Sequence, residues 1–274
     1  MKYKGITYSY AVYAFTFFLA PLLLILFYSL TASDGGSVSF TLENFTRFFD
    51  FSNPQYMKVL GNSFRIAGIA TLLCLLLGYP MAYILASLKP RLRAFLSLLF
   101  ILPMWMNFLL RTYAWMSLLE TNGIINTLLS KLGLPALQIM YTEKAVILGM
   151  VYNFLPFMIL PIYNTLIKLD PSLLNASDDL GASPWQTFTR VTLPLSKPAI
   201  LSGINMVFMP SVTTFVISRL LGGSSTALIG DIIEKQFKLV DDKGFGSAMS
   251  VIIMIFVFGL VALTREKDSE EVSL

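Results

Sequence analysis

The apolar residues of this chain arrive in long blocks rather than in alternating or single-face patterns. Six blocks stand out, at about 10–30, 62–86, 95–119, 145–167, 199–221 and 247–264. Each approaches the ~20 apolar residues that a helix needs to cross a bilayer. The pattern predicts an all-α polytopic membrane protein with six transmembrane helices in one domain covering 1–274. The first block is too long for a signal-peptide core and lacks a small-residue cleavage site, so it reads as an anchored span. The last is the shortest and would borrow flanking residues.

The polar stretches between the blocks carry structure of their own. On one side, 31–61, 120–144 and 222–246 read as partly helical. "TLENFTRFF" offers Thr41 as an N-cap, and "DIIEKQFKLV" is amphipathic but too short to span, as expected of an interfacial segment. The 168–198 loop on the other side parses as two short helices. Asp170 is a good N-cap with Pro171 in the first helical position. The helix ends at Gly181, where a left-handed residue is easiest for glycine. Ser183 and Pro184 open a second helix expected to stop before Pro194, with Pro198 stiffening the approach to the fifth span. Leu173, Leu174 and Leu180 can share one face, and Trp185, Phe188 and Val191 form a stripe. This insert is either a helix–turn–helix knuckle or an amphipathic segment hugging the membrane.

Composition sharpens the class. The chain is 55% hydrophobic and 13% charged, half the ~25% charged of a soluble domain, and its mean hydropathy is +0.70. It has no His and a single Cys, Cys74. Histidine acid–base chemistry, an internal disulfide and a thiolate metal site are therefore excluded. No catalytic or metal residues are expected. There is no G-x-x-x-x-G-K-[ST] phosphate loop, so ATP chemistry by that route would belong to a partner. The net charge of +4 speaks for topology rather than nucleic acid. Lys2, Lys4, Lys89, Arg91, Arg93, Lys168, Arg190, Lys197, Arg265 and Lys267 fall on one side. Arg47, Lys58, Lys131, Lys144, Lys235, Lys238 and Lys243 are spread over longer loops on the other. The positive-inside rule then places both termini, the "LKPRLR" turn and the 168–198 loop in the cytoplasm of a cell-membrane protein.

Within the spans there is no Asp or Glu. There are Trp105, Tyr113 and Trp115 in the third span, Tyr152 and Tyr163 in the fourth, and Asn107, Asn153 and Asn164. Such aromatics hold cations by ~0.5–2 kcal/mol each, or simply pack and anchor helices. Arg111 would lie about 24 Å beyond the cytoplasmic start of the third span. From there it either snorkels to the outer interface or serves a gate. Pro103, Pro156, Pro161 and Pro210 fall mid-span, where proline kinks a helix and frees carbonyls.

The run N-A-S-D-D-L-G at 175–181, nine further residues, then V-T-L-P at 191–194 resembles the E-A-A loop of permease subunits in bacterial ABC importers. That pattern is E-A-A-x-x-x-G, nine residues, I-x-L-P. Spacing matches throughout, while Asn175, Ser177 and Val191 depart, and Asn175 removes a glutamate available for a salt bridge to the ATPase. The resemblance implies an ABC importer type I permease fold whose 168–198 loop docks in a groove of a cytoplasmic ATP-binding subunit dimer. It implies coupling residues at Ala176, Asp179, Gly181, Trp185, Phe188, Leu193 and Pro194. This chain would bind no cofactor itself, with ATP and Mg used by the ATPase.

"LGYPMAYILA", "LPMWMNFLLRTYAWMSLL", "LPFMILPIYNTLIKLD" and "FVISRLLGG" further resemble permease subunits of spermidine/putrescine importers, over about 10–264. The third-span motif P-x-W-x-N-x-x-x-R-x-Y is the most informative piece. This likeness implies a translocation path through Trp105, Asn107, Arg111, Tyr113, Trp115, Asn153 and Tyr163. The partners it implies are a second homologous permease, an extracellular or periplasmic polyamine-binding protein and membrane lipid, with no nucleic acid. Where such permeases are expected to carry an acid, in S-D-L-L-G-G, this chain has Ser218 and Arg219. A fixed positive charge there repels a polyamine unless paired, with Asp231 the candidate. A permease for an inorganic anion, ferric ion or sugar is the alternative. A membrane-embedded enzyme would need titratable clusters in the spans, and a channel would have no use for the knuckle.

Overall fold

The computed structural model describes residues 8, 10, 12–34, 37–52, 54–223 and 226–271. Lys2 and Lys4 lie outside it, as do the side chains of Arg265 and Lys267. Among the described residues, five helices are long and apolar enough to cross a membrane: Val12–Ser29, Gln55–Ser87, Glu143–Leu166, Pro184–Thr213 and Lys243–Ala262. A sixth crossing exists only if one bent pair counts as a single span.

That pair corrects the expectation of a continuous helix over 95–119. Helix α4 (Pro90–Trp105) stops, Met106 takes an extended conformation, and α5 (Phe108–Leu119) starts afresh. The axes of Pro90–Trp105 and of the segment Phe108–Lys131 meet at 95°. Local chemistry supports the break. Asn107 caps the new helix, its Oδ1 accepting from the N–H groups of Leu109 (2.8 Å) and Leu110 (3.4 Å). An N-cap side chain competes with a continuing helix for the same amide groups.

The chain packs as two compact units, 61–228 forming most of one, and 1–60 with 229–263 the other. In the first, the buried core runs along α3 (Gln55–Ser87) from Ile66 to Leu85, and through α7 (Glu143–Leu166) and α10 (Leu193–Thr213). Small residues permit close approach. A Cβ on Gly203 would lie 2.7 Å from the Met158 thioether, and one on Gly78 would lie 3.0 Å from Met158 Cγ. Membrane helices pack by such small-residue contacts because lipid offers no hydrophobic drive between them.

The other unit holds the first span, a two-stranded hairpin (β1, Thr31–Asp34; β2, Ser37–Phe40), and the short helix α2 (Glu43–Phe48). Thr41 accepts from the Glu43 amide at 3.1 Å, close to the expected cap. The predicted interfacial segment forms α11 (Ile229–Lys235) followed by a π-helical turn, Gln236–Val240. The last span, α12, starts at Lys243, so it does borrow residues before 247. Arg47 bonds Asp242 at 2.7 Å and lies 4.2 Å over the Phe245 ring.

Candidate functional site: the polar knuckle and the spans it joins

The 168–198 loop folds by local rules. Asp170 accepts from Ser172 N–H at 2.9 Å and opens α8 (Pro171–Asp179). Two hydrogen bonds lower the Asp170 carboxyl below its ordinary value, first from the Ser172 amide and then from its hydroxyl. The helix closes with Gly181 at φ +76°. Gly181 N–H reaches Asp178 O at 2.9 Å and Ala182 N–H reaches Ser177 O at 3.1 Å, the paired bonds of a Schellman ending. Ser183 and Gln186 then form a reciprocal capping box at the start of α9 (Pro184–Thr187). The hydroxyls of Ser177 and Thr187, 2.9 Å apart, tie the two helices together. A residue that departs from the E-A-A pattern thus has a structural use.

Beyond α9 the structure differs from expectation. The second helix does not stop before Pro194. A π-helical turn, Phe188–Thr192, carries it into α10 as one helix, Pro184–Thr213. Leu193 N–H bonds Phe188 O, one residue further back than an α-helix would reach. Proline cannot donate the next backbone bond. The wider turn ahead of it lets the helix continue.

The coupling candidates do not all face the same way. Ala176, Asp179, Gly181, Trp185, Leu193 and Pro194 are exposed, with Trp185 at 71%. Phe188 is half-buried and turns toward α3. It meets Tyr79 and Tyr83 edge-on at 5.8 and 5.6 Å, while Trp185 stacks on it at 5.6 Å. Leu180, absent from the candidate set, is the most exposed apolar residue of the knuckle at 89%. Its position just before the helix-ending glycine was the available signal.

The path candidates divide as well. Trp105, Asn107 and Tyr113 are exposed. Trp115 packs on Tyr152 at 5.2 Å, Tyr163 is half-buried against the core, and Asn153 is buried with its Nδ2 on Gly149 O at 2.9 Å. Arg111 does not snorkel. The bend moves it off the line of α4 and leaves it 8% exposed. Its Nε and Nη1 lack hydrogen-bond partners, and its guanidinium lies 6.0 Å from the Phe108 ring. Arg219 is exposed in the π-helical turn Ser218–Gly222. No group of three or more metal-ligating side chains occurs among the described residues.

Residues 75–265 match the model of binding-protein-dependent transport system inner membrane components. The chain belongs to this family. It is 44% identical over 256 residues, 92% of each chain, to the spermidine/putrescine transport system permease protein PotB of Escherichia coli strain K12. Identity to the protein of the same name from Haemophilus influenzae is 42% over 253 residues, 88% of this chain and 87% of that one. A bacterial ABC transporter involved in alginate import superposes on it with TM-score 0.80 at 16% identity, covering 96% of this chain and 94% of that one. At that identity the likeness speaks for the fold alone. Membership makes the chain a multi-pass inner-membrane transport component rather than an enzyme.

Proposed function

We propose that this chain is a permease subunit of an ATP-driven importer that carries spermidine and putrescine across the cell membrane. The carrying observation is the likeness to spermidine/putrescine permeases at 44% identity over 92% of both chains. Both termini and the 168–198 knuckle lie in the cytoplasm, and the knuckle docks on a separate ATP-binding subunit dimer. ATP and Mg belong to that partner. A second homologous permease completes the membrane unit, and an extracytoplasmic polyamine-binding protein delivers the cargo.

The geometry supports this role physically. Exposed Leu180 and Trp185 are apolar anchors of the kind that fill pockets at interfaces. Because α9 runs into α10 without a break, displacement of the knuckle is displacement of the fifth span. Polyamines are cations, and Trp105 and Tyr113 offer exposed ring faces to ammonium groups. Weak contacts of that kind suit a path that must release what it binds. The buried Arg111 guanidinium, with Nε and Nη1 unbonded, and the positive charge of Arg219 are the features that favour an anion instead.

The test is ATP hydrolysis by the complete assembly in proteoliposomes, with spermidine, putrescine, sulfate or maltose added in turn with the binding protein. Stimulation by the polyamines alone is expected. Stimulation by sulfate or maltose would overturn the substrate while leaving the coupling role in place.

A further inference from the structure

Phe188 and Ser196 are eight residues apart on one helix. In an unbroken α-helix, at about 100° per residue, they would be about 80° apart around the axis. The π-helical turn Phe188–Thr192 absorbs one residue, which brings the offset back to about 20°. Both side chains therefore face the same neighbour, and both reach the same residue of α3. Phe188 meets the Tyr79 ring, and Ser196 Oγ lies 2.9 Å from the Tyr79 hydroxyl. Tyr79 is buried and Ser196 is fully so.

Either hydroxyl can donate in this pair. Ser196 Oγ also lies 3.1 Å from Leu193 O, so when Ser196 gives its proton to that carbonyl the Tyr79 hydroxyl is the donor to Ser196. The chain of bonds ends on the backbone of Leu193, in the L-P pair that closes the E-A-A-like pattern. Trp185, exposed on the knuckle, stacks on the other side of Phe188. A continuous series thus runs from an exposed ring, through Phe188, to two tyrosines one turn apart on α3. Pro80 follows Tyr79 and cannot donate the helix bond to the Leu76 carbonyl, so α3 is locally less constrained where it receives these contacts.

Ordinary packing would need the rings alone. A buried hydroxyl pair between two spans adds direction and a discrete geometry, at the cost of two polar groups that must stay satisfied. We propose that Tyr79 and Ser196 are positioning residues for coupling, which with Phe188 lock the second span to the knuckle so that both move together. This rests on the coupling role given above for the knuckle.

The experiment compares the assembly carrying Tyr79→Phe, Ser196→Ala or both with the unsubstituted one, in proteoliposomes with the ATPase, second permease and binding protein. Spermidine uptake and ATP hydrolysis are measured together, with co-purification of the ATPase as a check on assembly. Tyr79→Phe keeps the ring and removes one hydroxyl. Uptake per ATP is expected to fall about three- to tenfold, the worth of one net hydrogen bond. Ser196→Ala should fall at least as far, since it also removes the Ser196–Leu193 contact, and the double substitution no further than Ser196→Ala, because the Tyr79–Ser196 bond is lost in all three. Unchanged uptake per ATP in Tyr79→Phe would overturn the inference alone. Loss of the ATPase from the purified assembly would overturn it too, since the bond would then hold the fold rather than the stroke. An unsubstituted assembly that hydrolyses ATP without moving spermidine would remove the coupling reading itself.

Discussion

Gly181 turns the knuckle with φ +76°, and a Cβ there would meet nothing within 4 Å. Its importance is therefore conformational and not steric. A β-carbon in the left-handed region costs roughly 1–2 kcal/mol, and proline, fixed near φ −65°, cannot enter it at all. Gly181→Pro should uncouple ATP hydrolysis from uptake while the spans remain inserted, and Gly181→Asn should retain most coupling because Asn tolerates that conformation. Equal coupled uptake in Gly181→Pro would remove the turn from the mechanism. Asp170 supports a second prediction. Its carboxyl is lowered by the bonds from Ser172, so the cap is fully present above the ordinary carboxylate value. It is lost as pH falls through the lowered, folded value. Hydrogen exchange of α8 amides should therefore rise, relative to Asp170→Asn, as pH falls below the ordinary carboxylate value of about 3.9. Asn keeps the acceptor without the charge, so parallel pH curves for the two proteins would contradict the cap.

At the scale of elements, the decisive contact is where α3, α7 and α10 close on Met158. Gly203 and Gly78 leave room for that thioether from two sides. Gly203→Val should lower the stability of the purified chain by about 1–3 kcal/mol through overpacking, read as a fall in Tm. Gly68→Ala, with open space around it, is the control and should not fall. Elements with local signatures were legible in the sequence. Asp170, Gly181 and Ser183 act within a few residues of themselves, so their caps could be read directly. The bend at Met106–Asn107 could not be read from hydropathy, because a helix that turns through 95° stays as apolar as a straight one. Pro103 and Asn107 were visible, yet only folded geometry shows Asn107 capping a new helix and Arg111 buried on it. The Tyr79 contact was hidden for a related reason. Sequence spacing puts Phe188 and Ser196 on different faces until a π-turn realigns them, and the hydroxyl pair joins residues 117 positions apart.

For the whole molecule, the question is what covers the knuckle. An apolar surface on a polar loop has two outlets, the lipid interface or a protein groove. Leu180 and Trp185 stand on either side of the Gly181 turn and are 89% and 71% exposed. Their helices are held rigidly by a Schellman ending, a capping box and the Ser177–Thr187 bond. Rigid presentation of a few large side chains is how interface anchors reach high affinity, since little side-chain freedom remains to be lost on docking. A lipid-hugging helix needs no such rigidity, and Asp178 and Asp179 on the same knuckle would oppose anionic headgroups. The double substitution Leu180→Ser with Trp185→Ser should therefore weaken binding of the ATP-binding subunit. A Trp anchor of this kind is worth at least ~2 kcal/mol, so loss of Trp185 alone predicts a loss on the order of 30-fold. The measurement is titration of the chain in lipid nanodiscs with the ATPase, taking the Trp185 signal as the fluorescence difference between the unsubstituted and Trp185→Ser chains, since Trp105 and Trp115 also emit. A blue shift on adding ATPase, absent with nanodiscs alone, would place the ring in a protein pocket. Unchanged affinity in the double variant, together with a Trp185 signal in the unsubstituted chain already blue-shifted by lipid, would return the knuckle to the membrane surface and require another route for coupling.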